Sequence, residues 1–212
     1  MLSLAAALLT LSASAMTLGL AAGTAVTAQR LTVDTGATSV PLERCTLSPV
    51  ADSDVDTALN TGTATTLRVR SSGLGNRRAF IRFDLASCGL DADDAIRAAS
   101  LSLVLGTAPA SSRAHKIWRV TAAWTETGVS SFNQPAVAAT ETATQDTGTT
   151  AGATLSWNVL ADVRAFHGGT PNYGWRVSDA AEGAATAVEA VYRSREFATA
   201  AERPKLTIDY YP

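Results

Sequence analysis

The stretch Ala79-Phe80-Ile81-Arg82-Phe83-Asp84-Leu85 alternates residue by residue, and it constrains the fold more than any other part of the chain. A strand points successive side chains to opposite faces, so Ile81, Phe83 and Leu85 share one face and Phe80, Arg82 and Asp84 the other. The first set reads as core. The second mixes an aromatic ring, a cation and an anion, a combination that a plain solvent face does not require. Its aromatic and β-branched content favours a strand over a helix. Residues 66–71 alternate as well, with Leu67 and Val69 inward and Thr66, Arg68 and Arg70 outward. Between the two runs, Ser72-Gly73-Leu74-Gly75-Asn76 is turn chemistry. The pair therefore reads as a hairpin that sets Arg68, Arg70 and Arg82 on one outward face.

The same period recurs along the chain. Residues 45–55 read as the first domain strand, and residues 98–105 as another with Leu101, Leu103 and Leu105 inward. Residues 116–120 follow with Trp118 and Val120 inward. Further strands fall at 155–158, 173–177, 189–195 and 205–210. Residues 159–167 form the one helix, with Asn158 at its start, Val159, Val163 and Phe166 on one stripe, and Gly168-Gly169 ending it. The Thr/Ala/Gly run of residues 136–152 reads as a mobile loop. About eight or nine short strands without βαβ alternation indicate an all-β, antiparallel two-sheet sandwich with one short helix.

Residues 1–28 carry no charge and open on the apolar run Leu4 to Leu9, and Val26-Thr27-Ala28 resembles a small-residue cleavage site. They read as an export signal, with a retained anchor as the rival. Residues 29–44 read as a leader and residues 45–212 as the folded domain. Charged residues make up 17% of the chain and nearly cancel to a net charge of −2, which argues against a nucleic-acid binder. Cys45 and Cys88 are the only cysteines, and in an exported chain they read as one disulfide. Two free buried thiols are the alternative if the chain is not exported. Such a bridge places the start of the first strand near the exit of the central one, as an antiparallel neighbour would be.

An ordered set of short motifs adds to this reading. It comprises Ala51-Asp52, Thr66-Leu67-Arg68-Val69-Arg70, Arg77 to Leu85, Trp124-Thr125-Glu126, Asn133-Gln134-Pro135, Asn172-Tyr173-Gly174-Trp175-Arg176, Tyr192-Arg193-Ser194-Arg195-Glu196-Phe197 and Arg203-Pro204-Lys205-Leu206. In this order it resembles the DNRLRE domain, also described as carbohydrate-binding module family 96. The resemblance runs from about Cys45 to Tyr210. It implies a jelly-roll sandwich that is secreted, non-catalytic and monomeric, free of the membrane after signal cleavage, with an extracellular polysaccharide as partner. Relatives that bind anionic chains such as alginate imply a uronate-type ligand. A structural or adhesive cell-surface sandwich without sugar binding is the alternative reading.

Guanidinium groups match carboxylates in bidentate geometry, so Arg68, Arg70 and Arg82, with Phe80 beside them, are the candidate ligand-binding residues. Arg78, Arg195 and Arg203 read as structural ion pairs, with Glu196 an obvious partner. Trp157, like Trp118, reads as core. Asp52, Asp54 and Asp56 recur at period two and are the weak candidates for a structural calcium, but Thr57 stands where an EF-hand loop needs glycine. A solvated acidic edge is the simpler reading, and no other cofactor is expected. No Gly-x-Ser-x-Gly, His-Glu-x-x-His or phosphate loop occurs. His115 reads as a loop residue and His167 as a surface residue at a helix end. Nothing in the spacing of Glu126 and Glu196 supports a glycosidase pair.

Overall fold

The computed structural model describes residues 11–18, 26–33, 41–56 and 60–212. Strands β1 (Leu11–Leu18) and β2 (Val26–Val33) pair antiparallel and belong to a separate unit, Met1–Val40. The export-signal and leader readings fall mostly within that unit, and the rest of it lies outside the described residues. Among the described residues no helix is long and apolar enough to cross a membrane.

The domain begins with β3 (Glu43–Leu47), β4 (Ala51–Val55), β5 (Thr66–Ser71) and β6 (Arg78–Arg82). It continues with β7 (Ala95–Thr107), β8 (Ala114–Arg119), β9 (Ala143–Asp146), β10 (Thr154–Asn158) and the helix α1 (Leu160–His167). β11 (Trp175–Asp179), β12 (Val188–Arg193) and β13 (Lys205–Tyr211) complete it. One sheet has the order β3-β13-β7-β12-β5, with β10 also on β7; the other has the order β4-β6-β11-β8-β9. All the pairings are antiparallel, and the two sheets form the expected all-β jelly-roll sandwich.

Alternation builds the core from both sheets. Leu67 and Val69, Leu101, Leu103 and Leu105, Leu206 and Ile208 face Ala79, Ile81 and Phe83, Ile117, Trp175 and Val177. Each fully buried Leu, Ile or Phe contributes roughly 1.5–3 kcal/mol, which is why the two periods lock onto one register. Val163 and Phe166 seat α1 on this core, and Asn158 Oδ1 accepts the Leu160 N–H at its start.

Several expectations need correction. Residues 45–55 are two strands, not one: β3 lies in the larger sheet and β4 beside β6 in the smaller. Cys45 and Cys88 do form a disulfide, with Cα atoms 5.7 Å apart. However, it joins β3 to the 3-10 turn Leu85–Cys88 that follows β6, so it fastens one sheet to the exit of the other. Residues 143–146 are an edge strand on β8, because small side chains are enough where one edge is open. In β8 the register is one residue off the reading. Ile117 enters the core and Trp118 faces outward, because both neighbours are apolar and alternation alone does not choose between them.

A second apolar cluster lies on the outer face of the smaller sheet. There Trp124 and Val129, from the connection after β8, cover Ala51, Val55, Phe80 and Val120. Phe80 is 0% exposed, and its ring centroid is 5.8 Å from that of Trp124.

Candidate functional site

Three of the short motifs meet in one knot. Asp52, 1% exposed, donates its backbone N–H to Glu126 Oε1 at 2.9 Å and accepts the Arg195 backbone N–H on Oδ2 at 2.8 Å. The Arg195 guanidinium lies 2.8 and 2.9 Å from the two Glu126 oxygens and 3.4 Å from Glu196. Burial pushes the Asp52 carboxyl up to about 8 against the pull of the Arg195 N–H. A second knot ties the next motif to β6. Asn172 Nδ2 donates to Phe83 O at 2.8 Å, and Trp124 Nε1 donates to Tyr173 O at the same distance. Gly174 has φ 76°, and a Cβ there would lie 2.0 Å from Ile81 O, so only glycine fits. These motifs hold the sandwich together.

The acidic residues do not form the anticipated edge. Asp52 and Asp54 are both 1% exposed and face into the sandwich, since β4 turns that side toward β5. They do not converge on a common cation position. Asp54 bonds to Thr61 and lies 3.9 Å from Arg77, while Asp56 pairs with Arg70 and Arg77. Asp209 pairs with Arg44, and Asp179 with Arg113. The carboxylates that do converge are Asp52, Glu126 and Glu196, whose oxygens lie within 4.8 Å of one another. The Arg195 guanidinium already lies among them and offsets one negative charge, so a divalent cation entering there would compete with it. Glu126 and Glu196 are thus neighbours, tied to the same arginine.

The arginine stripe does not lie on one face. β5 belongs to one sheet and β6 to the other, and the chain crosses between them at the Arg70–Arg77 bridge. Arg68 and Arg70 therefore face out from the larger sheet and Arg82 from the smaller. Arg68 is exposed; Arg70 bonds to Gly75 O at 3.2 Å and to Asp56. Phe80 is no surface ring, because Trp124 covers it. Of the expected structural pairs, Arg78–Glu182 and Arg195–Glu126 form, whereas Arg203 donates to Phe197 O at 2.7 Å.

The outer face of the smaller sheet carries what the sequence reading missed. Arg82 lies 5.7 Å from the Trp124 ring centroid, and Arg176 lies 4.5 Å from that of Trp118. Arg176 is paired across the strands with Phe80 and with Trp118, so Arg82 and Arg176 are diagonal neighbours on β6 and β11. Their neighbours have counter-charges: Arg78 has Glu182, and Lys116 has Glu141. Arg82 and Arg176 lie near no carboxylate at ion-pair distance among the described residues. Arg176 Nε is buried without a partner, and burial, then the nearby Arg78, pulls this guanidinium below the usual arginine range. Stacking on an indole uses the face of a guanidinium and leaves its in-plane N–H edge for a carboxylate. The only hint of Arg176 in the sequence was its motif, and Trp118 was assigned the wrong side.

His115 is no loop residue. It sits in β8, 1% exposed, with Nδ1 2.7 Å from Tyr192 Oη and Nε2 3.8 Å from Asp179. Its carbonyl accepts the Trp157 indole N–H at 3.0 Å, in a wholly interior network. His167 keeps its place at the end of α1 but is not a plain surface residue: it is half-buried, and its Nε2 is enclosed without a hydrogen-bond partner.

No curated protein matches the chain. The model of carbohydrate-binding module family 96 matches residues 43–210, the whole sandwich from its first strand to its last. On that match, with the fold and motifs described above, the chain belongs to carbohydrate-binding module family 96.

Proposed function

We propose that this protein is a secreted, non-catalytic and monomeric module that binds an acidic, uronate-type polysaccharide. Arg82 and Arg176 take its carboxylates. One observation carries the reading: two diagonal guanidiniums, each within cation–π range of an indole, have no carboxylate at ion-pair distance among the described residues. A carboxylate arriving between them gains charge-assisted, bidentate hydrogen bonds. Arg68, exposed on the other sheet, is a secondary contact for the same chains. The Cys45–Cys88 bridge fits an oxidising, extracytoplasmic compartment.

The test is affinity electrophoresis through gels holding alginate, pectin or a neutral glucan. Retardation is expected in the two acidic gels, weakening as salt rises, and not in the neutral one. Retardation by no glycan would leave a structural cell-surface sandwich. Release of reducing ends or unsaturated uronates by the purified protein would make it an enzyme.

A further inference from the structure

The larger sheet also carries a trough on its outer face, on the side of the sandwich away from Arg82 and Arg176. Its volume is about 550 Å³, and Arg97, Ser100, Ser156, Asn158 and Thr207 line it beside the Arg44–Asp209 pair. Three features of its construction point to a ligand.

The first is a bulge. β13 pairs Asp209 with Ala98 and then Tyr210 with Ile96, so Arg97 is an extra residue in β7. Arg97 and Ala98 are both exposed, which interrupts the alternation that holds through the rest of that strand. Bulges turn a side chain that regular pairing would aim elsewhere. Here the bulge brings Arg97 to the trough, with its guanidinium 5.5 Å from the Tyr211 ring centroid. No carboxylate among the described residues forms an ion pair with it.

The second is a row of small polar side chains. Thr46, Thr207, Ser100 and Asn158 stand in register across β3, β13, β7 and β10. The adjacent row places Ser102 opposite Ser156, with their hydroxyls 3.5 Å apart. Short side chains on a sheet flanked by long ones leave a hollow. The hollow presents hydroxyl and amide groups at the spacing of neighbouring strands, about 4.8 Å.

The third is charge. Arg44 and Asp209 cancel through two hydrogen bonds of 2.6 and 2.8 Å, which leaves Arg97 as the net charge of the trough. The apolar part of the lining is only Ala98, Ala99 and Leu160, with no large ring or aliphatic cluster to anchor a protein partner, whose interface core would be apolar. The trough suits a chain that carries both hydroxyls and carboxylates.

We infer that this trough is a second binding site for the same class of polysaccharide, and that the module is bivalent. The inference rests on the acidic-glycan reading above. The outer faces of the two sheets point in opposite directions, so one domain engages two separate segments. A long polysaccharide would then be cross-linked.

Isothermal titration with an alginate hexasaccharide at low salt reads the stoichiometry directly. Two sites per chain are expected, falling to one in Arg97→Glu and to one in the Arg82→Ala, Arg176→Ala double variant. Arg97 is exposed, so the charge reversal should leave the melting temperature within a few degrees of the parent. Ser100→Tyr, which fills the trough without changing charge, should abolish the same site. Light scattering with long-chain alginate should show cross-linked aggregates for the parent protein and none for Arg97→Glu. One site in the parent, lost in the double variant and untouched by Arg97→Glu and Ser100→Tyr, would overturn the trough and leave the first site standing. No heat with any uronate would overturn both.

Discussion

His115 Nδ1 lies 2.7 Å from Tyr192 Oη, and neither side chain reaches solvent. This contact links the two sheets, because His115 belongs to β8 of the smaller sheet and Tyr192 to β12 of the larger. Burial keeps the imidazole neutral down to about 4 and pushes the Tyr192 phenol up, which suits a neutral pair sharing one hydrogen bond.

The pair makes stability depend on acid in a defined sense. An unfolded histidine takes up its proton near pH 6.5, while folded His115 resists until about 4. Between these values the unfolded state binds more protons. The stability is therefore present above pH 6.5 and is lost as pH falls toward 4. The full loss is about 3 kcal/mol at 1.36 kcal/mol per unit. Urea unfolding of the parent and of His115→Gln should show their difference narrowing over that window. A difference that stays constant with pH would contradict the burial argument.

Asp52 slopes the other way. Its carboxyl is raised from 3.8 to about 8, so the folded state keeps a proton that the unfolded state has released. Its contribution is complete below about pH 4 and is lost as pH rises to 8. Asp52→Asn, which cannot ionise, should therefore gain melting temperature relative to the parent as pH rises from 5 to 8. The same scans with and without EDTA should coincide, since the Arg195 guanidinium already occupies the position beside Glu126 and Glu196. A calcium-dependent rise of several degrees that Asp52→Asn removes would show that the cation, not Arg195, holds this knot.

The disulfide closes a loop of sequence separation 43 between an edge strand of one sheet and the turn leaving the other. The chain-entropy model assigns such a loop about 4 kcal/mol, or roughly 10 °C in melting temperature for a domain of this size. Intact mass before and after alkylation should show no free thiol in native protein, and reduction should lower the melting temperature by that order. Two freely alkylated thiols would contradict the bridge.

Period-two alternation made the sandwich legible, because burying one face of each strand leaves little freedom of register. It decided Ile81, Phe83, Leu101 and Leu206 correctly. It failed at Ile117-Trp118, where both residues are apolar, and at Phe80, whose outward face is covered by a connection some forty residues later in the chain. The candidate site was less legible for a related reason. The motifs that stand out, such as Asp52, Glu126, Arg195 and Gly174, are those the fold requires, and they are spent on knots. Arg68, Arg70 and Arg82 read as one stripe because a short turn between alternating runs reads as a hairpin. Here the turn carries the chain from one sheet to the other, a relation that no local pattern encodes. Arg97 needs a bulge that is visible only in the pairing of β7 with β13.

The central claim is that Arg82 and Arg176 read carboxylates on a polysaccharide. Its most direct test is the alginate dissociation constant of the parent and of the Arg82→Ala, Arg176→Ala double variant, measured by affinity electrophoresis at 50 and 200 mM salt on an Arg97→Glu background that silences the trough. Losing two charge-assisted contacts worth about 1.5–3 kcal/mol each should weaken binding by about a hundredfold or more at low salt, while loss of the two indole contacts lowers the melting temperature by only a few degrees. The remaining affinity should also depend less on salt. Equal affinity of the two proteins for alginate, or equal retardation of the parent by a neutral glucan, would contradict the account.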